Sequence, residues 1–303
     1  MNQPNAPAVW RDMTQAELDA AYTQAAYAAN RAQMLNRFAS NSEAVRGRLG
    51  PPKRLRYGEG GHEAVDVFGA GDAAAPVNIF IHGGAWRAGR AADYAFPAEL
   101  FAAAGARFVV PDFDWVQNRD GDLMPIADQI RRAIAWVWKN VARFGGDRDR
   151  LFLSAHSSGA HMAGVALTTD WASFDLPQDA IKGALLCSGL YDLEPVRLSA
   201  RSDYVAFTDE SVAALSPMRH PERITTPTIL AYGTLETPEF QRQTRDFAAA
   251  LTDCGLACDC LVGEGYNHFE ILETLANPYG LLGRAVLRQM GLDRWSLPAS
   301  AET

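Results

Sequence analysis

Long apolar runs are missing from this chain: nowhere do about 18 apolar residues follow one another, the length a membrane-spanning helix needs. Blocks of like charge are missing as well. The net charge of -8 comes from 36 acidic against 28 basic residues spread along the sequence, which argues against a nucleic-acid or anionic-membrane partner. A small neutral partner fits better. Cysteine is scarce, with 4 in the chain, and Cys254, Cys258 and Cys260 crowd into "CGLACDC". That stretch lacks a fourth ligand and the paired C-x-x-C spacing of a zinc site, so it reads as a helix end, a glycine turn and a strand, and no metal is expected. Reduced thiols suit a reducing compartment. The leading "MNQPNAPAVWRDMTQAELDA" has no basic stretch followed by an apolar core, so a cytoplasmic location is expected. Repeats and low-complexity linkers are absent too, which leaves one domain with an N-terminal extension.

What is present is ordinary globular composition: 303 residues, 48% hydrophobic and 21% charged, enough for a sizeable core. Residues 1–50 form the extension. In it "MTQAELDAAYTQAAYAANRAQMLNRFA" is rich in helix formers, with Thr14 and Glu17 at capping-box spacing, and predicts two helices. Residues 51–303 alternate strand and helix. "KRLRYG" and "EAVDVF" around "EGGH" predict an antiparallel hairpin. "PVNIFIHGG", "RFVVPDF", "RLFLSA", "IKGALLCSG", "PTILAYG" and "ACDCLVG" predict further strands. Helices are expected over residues 90–104, after Pro125 with Ile126, Ile130, Ile134, Val137 and Val141 on one face, over "SGAHMAGVALTT", from Phe240 to Leu251, and after "GYNHFE". Regular alternation implies an α/β fold with a mainly parallel central sheet covered by helices on both faces. In such sheets chemistry collects at the carboxyl ends of the strands.

At one such end "LFLSAHSSGAH" passes from an alternating apolar strand into small residues. A serine on a sharp strand-to-helix turn has its hydroxyl thrust above the sheet, and Ser157 occupies that place in Ala155-His156-Ser157-Ser158-Gly159, a near-match to G-x-S-x-G. Serine is a weak nucleophile until a base takes its proton, and the oxyanion it generates needs preorganised donors. "HGGAW" ends another strand, where two glycines let backbone N–H groups approach a substrate oxygen. Gly83 and Gly84 with Ser158 are assigned to this hole, Ala85 being a substitute, and Trp86 is placed as a wall of the substrate pocket. Of the 6 histidines, His268 in "GEGYNHFE" lies after the last strand, where the base is expected. His62 and His82 do not satisfy that order, His156 and His161 read as structural and His220 as surface loop. The acid that orients the base comes from Glu236, with Asp192 and Glu239 as alternatives.

With these motifs in order, the chain resembles the α/β-hydrolases of the kynurenine formamidase (arylformamidase) and carboxylesterase group. "HGGAW" resembles that group's HGGxW motif, "HSSGAH" its H-S-A-G-A-H turn, and "SGLYDLEP", "GTLETPEFQRQT" and "NHFEILE" its later loops; "MTQAELDAAYTQAAY" is similar to its N-terminal helices. The resemblance implies a Ser157, Glu236, His268 triad and a serine hydrolase acting on a small, aromatic ester or amide without a cofactor. An arylformamide such as N-formylkynurenine is the substrate it points to. A short-acyl carboxylesterase, another amide hydrolase of aromatic catabolism, or a binding protein on a hydrolase fold are the alternatives. Alanine at 155 replaces a glycine, Glu236 stands where aspartate is usual, and nothing beyond Trp86 carries over to the substrate. The extension could cap the pocket. A homodimer is compatible with the sequence, which does not fix the oligomeric state.

Overall fold

A computed structural model describes residues 6–69 and 74–293. The elements, in chain order, are α1 Gln15–Ala21, α2 Arg31–Leu49, β1 Lys53–Arg56, β2 Ala64–Phe68, β3 Ala75–Ile81, α3 Ala98–Ala103, β4 Arg107–Pro111, α4 Met124–Asn140, β5 Gly146–His156, α5 Ser158–Leu167, β6 Gly183–Cys187, α6 Glu194–Arg197, α7 Asp209–Ala214, β7 Thr228–Gly233, α8 Pro238–Asp253, β8 Cys258–Gly263, α9 Glu270–Glu273 and α10 Leu281–Gln289.

The strands form one sheet in the order β1-β2-β4-β3-β5-β6-β7-β8. The first hairpin is antiparallel, as is β2 against β4, and every later pairing is parallel. Strands buried on both faces carry two sets of apolar side chains. In β3, Val77, Ile79 and Ile81 join the core on one face, with α1, α4, α5 and α8, while Phe80 joins the core on the other, with α2, α3 and α10. The period of two that sets strand side chains on opposite faces divides them.

The extension is bound to this body. Thr14 and Glu17 form the expected capping box, the Thr14 N–H donating to Glu17 Oε2 at 2.8 Å. Leu18 and Tyr22 then enter one core, and Met34 and Phe38 the other. Two expected helices are broken. Residues 90–104 give a 3₁₀ turn, Ala91–Tyr94, and α3, with Pro97 between them; proline ends a helical run because it lacks an N–H and its ring clashes with the preceding turn. The final helix divides into α9 and α10 around Pro278 and Gly280. Val141 lies just past α4, in a 3₁₀ turn, and is still buried. "CGLACDC" is a helix end, a turn at Gly255 (φ 82°) and the start of β8, as read from sequence. Among the described residues no helix is long and apolar enough to cross a membrane.

Candidate active site

Ser157 sits between β5 and α5 with φ 59° and ψ -128°, a conformation that L residues seldom adopt. The neighbours hold it there. Gly159 must be glycine because a Cβ would meet the Ile81 and His82 carbonyl oxygens at 2.2 and 2.4 Å, so α5 packs hard on the end of β3. Ala155 meets no such limit; its methyl is buried in the core. The Ser157 N–H donates to the Cys187 carbonyl of β6 at 2.9 Å.

His268 approaches Ser157 from the loop after β8, its Nε2 lying 2.8 Å from the serine Oγ. Its Nδ1 is 2.7 Å from Glu236 Oε2. Glu236 comes from the loop after β7 and is 2% exposed. Its Oε1 accepts hydrogen bonds from Ser188 Oγ at 2.6 Å and the Gly233 N–H at 2.7 Å, and its Oε2 a further one from Gln24 Nε2 at 3.2 Å. The carboxylate is thus satisfied on both oxygens, the condition for burying charge. Neither alternative acid reaches the histidine. Asp192 accepts the Glu194 N–H at the start of α6, and Glu239 is held by Arg242 and the Tyr22 hydroxyl.

His156 donates from Nε2 to the His268 carbonyl at 2.8 Å, and the two rings lie 4.6 Å apart. Burial, and after it the neighbouring His268, pushes the His156 imidazole well below the ordinary histidine range. His156 is thereby kept uncharged beside the His268 ring. His161 is buried between the Trp86 indole N–H and the Leu215 carbonyl, and burial lowers it to about 4. His62 pairs with Asp114, and His220 with the Ala213 carbonyl at an exposed position.

In the glycine motif His82 Nδ1 donates to the Gly83 carbonyl at 2.8 Å. Because the peptide is trans and planar, that bond fixes the Gly84 N–H on the opposite side. Gly84 has φ 125°, and a Cβ there would lie 1.9 Å from the Ala88 carbonyl oxygen. The Trp86 N–H donates to Ser158 Oγ at 3.2 Å, joining this turn to the start of α5. Ser158 holds the first helical position, where the N–H has no acceptor in its own helix.

Two expectations are corrected here. Gly83 stands behind the serine, its absent Cβ 2.9 Å from Ser157 Cβ, whereas Gly84 and Ala85 line the cavity in front. Trp86 does not wall that cavity. It is 2% exposed and packed in the core, its ring edge-on to His161 and its indole N–H donating to His161 Nδ1 at 3.2 Å.

The cavity has a volume of about 680 Å³ and is lined by Ser157 and His268, by Tyr22, Gln24, Arg31 and Phe38 of the extension, and by Arg201 and Tyr204 after β6. Sequence reasoning missed Gln24, Ser188, Arg201 and Tyr204. Gln24 is 212 positions from Glu236, and no local pattern marks such a pair. Among the described residues no cluster of His, Cys, Asp or Glu could hold a metal ion.

Comparison with known proteins fits this geometry. The family model BD-FAE matches residues 67–183. Kynurenine formamidase of Danio rerio is 28% identical over 93% of this chain and 98% of its own. Esterase LipQ of Mycobacterium tuberculosis is 29% identical over 82% of this chain and 65% of its own. A crystal structure from Silicibacter is 25% identical with a TM-score of 0.76, covering 87% of this chain and 96% of its own. With its parallel sheet, its strand order and these relatives, the chain has the α/β-hydrolase fold and is similar to formamidases and esterases, and it is an enzyme that hydrolyses ester or amide bonds.

Proposed function

We propose that the protein is a serine hydrolase that works through an acyl-enzyme, with Ser157 as nucleophile, His268 as general base and Glu236 as the orienting acid. The observation that carries this reading is the unbroken line of contacts, 2.8 Å from Ser157 to His268 and 2.7 Å from His268 to Glu236. Nucleophile, base and orienting acid need that reach and order. His268 takes the serine proton as Oγ attacks the carbonyl carbon. The oxyanion forms against the N–H groups of Gly84, Ala85 and Ser158. His268 then passes its proton to the leaving group, and the acyl-enzyme is cleared by a water that His268 deprotonates. Glu236 holds the imidazole in one tautomer throughout.

The substrate in this reading is an arylformamide of the N-formylkynurenine type, in line with the formamidase likeness over nearly the whole chain. Phe38, Tyr94, Tyr204 and Phe269 among the cavity residues suit an aromatic ring. A short-acyl ester is the second reading, favoured by the likeness to an esterase. The enzyme works in the cytoplasm, as a monomer or homodimer, and residues 1–50 cap the pocket of the catalytic region 51–303.

The test is the ratio of kcat/KM for N-formylkynurenine to that for p-nitrophenyl acetate, with Ser157→Ala as blank. A ratio well above one that vanishes in Ser157→Ala is expected. A ratio far below one, still dependent on Ser157, moves the assignment to esters. Turnover that survives Ser157→Ala overturns the mechanism.

A further inference from the structure

The segment from Tyr22 to Arg31 lies outside the sheet, yet it is bonded to both loops that carry the reacting side chains. To the loop of Glu236 it offers Gln24, and to the first turn of α8, which follows that loop, it offers the Tyr22 hydroxyl, which donates to Glu239 Oε2 at 2.7 Å. To the loop of His268 it offers Asn30, which donates to Glu270 Oε1 at 2.6 Å and accepts from Asn267 Nδ2 at 2.9 Å. Asn267 in turn accepts the N–H groups of Phe269 and Glu270 at 3.0 and 3.1 Å, holding the turn that presents His268. One strap therefore ties acid and base together from the far side of the cavity.

Gln24 is the centre of the strap. It is 6% exposed, its Nε2 donates at 3.2 Å to Glu236 Oε2, the oxygen that also meets His268 Nδ1, and its Oε1 faces the Thr237 N–H at 3.4 Å. A glutamate carboxylate rides on a longer flexible side chain than an aspartate and must be held against rotation if His268 is to keep its aim. Ser188 and Gly233 hold one oxygen, leaving the working oxygen to Gln24. We propose that Gln24 is a positioning residue that fixes the Glu236 carboxylate toward His268, so that the N-terminal segment is a working part of the reaction centre as well as a wall of its cavity. This rests on the reading of Glu236 as the orienting acid.

A double-mutant cycle separates this role from a structural or substrate-binding one. Gln24→Leu and, as a second variant against misfolding, Gln24→Ala are made in the full chain, each in the native background and with Glu236→Ala. kcat/KM for p-nitrophenyl acetate is read together with thermal melting. Gln24→Leu is expected to lower kcat/KM by about tenfold or more in the native background, the effect of losing one hydrogen bond to a charged group. With Glu236→Ala it is expected to cost nothing further, because a residue that acts only through the carboxylate has nothing left to hold. An equal loss in both backgrounds, or no loss in the native one, overturns the proposal. The single change Glu236→Ala distinguishes the two readings: a loss on the order of 10⁴-fold alongside an additive cycle sinks the role of Gln24 alone. A negligible loss removes Glu236 as the acid, and the role of Gln24 with it.

Discussion

Ala85, Trp86, Ser157 and Ser188 have φ of 55°, 60°, 59° and 57°, values that cost non-glycine residues about 1–3 kcal/mol each. All four lie around the Ser157 hydroxyl: two in the glycine turn, one at the strand-to-helix turn, one touching Glu236. Such strain persists only where surrounding contacts outweigh it, and here the Trp86 N–H to Ser158, the Ser157 N–H to Cys187 and Ser188 Oγ to Glu236 provide them. Gly84 is the most exacting residue of the group. Gly84→Ala drives a methyl into the Ala88 carbonyl, displacing the N–H proposed above as an oxyanion donor. The expected outcome is a fall in kcat of about 10²-fold, the effect of losing one oxyanion donor, with the melting curve still cooperative; kcat within a few-fold of the native value would remove Gly84 from that role. At this scale much was legible. Ser157 and His268 could be read from chain order and turn chemistry, whereas Gln24 and Ser188 could not, because their contacts to Glu236 close only in three dimensions.

At the scale of elements, the clearest sequence signal became the clearest helix. Ile126, Ile130, Ile134 and Val137 of α4 are all buried against the sheet, as apolar residues spaced by one turn must be. Ile130 is fully buried, and Ile130→Ala is expected to cost about 2–5 kcal/mol for lost burial and the cavity left behind, read as a lowered midpoint in urea with an unchanged slope. α5 differs. Every one of its residues is buried, so it shows no polar face, and its small side chains let it sit tightly behind Ser157. Residues 90–104 and the C-terminal run were expected as continuous helices but are interrupted at Pro97 and around Pro278, where proline chemistry outweighed apolar spacing. The stretch between β6 and β7 was unreadable in detail: α6, α7 and short turns have too little periodicity to register, yet they supply Arg201 and Tyr204 to the cavity.

For the whole molecule, three buried histidines set a pH response. Burial lowers His82, His156 and His161 below the ordinary range, His161 to about 4. Below pH 6.5 the unfolded chain protonates these groups while the folded chain does not, so it binds more protons and stability falls with falling pH. For His161 the window runs from about 6.5 down to about 4, a loss of about 3 kcal/mol when complete. The melting temperature should drop between pH 7 and pH 5, and His161→Gln, which can still bond both Trp86 and Leu215, should flatten part of that slope. A melting temperature independent of pH over this range would contradict the account.

The sequence by itself determined the strands, the amphipathic helices, the turn at Ser157 and the chain order of serine, acid and histidine. Each depends on local rules, whether period, propensity or the space a glycine leaves. Only the tertiary structure decided which acid meets His268, that Ala85 rather than Gly83 faces the cavity, that Trp86 belongs to the core, and that the N-terminal segment reaches both loops of the site. Those outcomes depend on packing between residues far apart in the chain, from 32 positions for Glu236 and His268 to 237 for Asn30 and Asn267, where several partners of the same chemical type compete and distance alone selects among them. Glu236, Glu239 and Asp192 are equivalent as carboxylates, and the strand each follows and the donors around it decide which one meets His268.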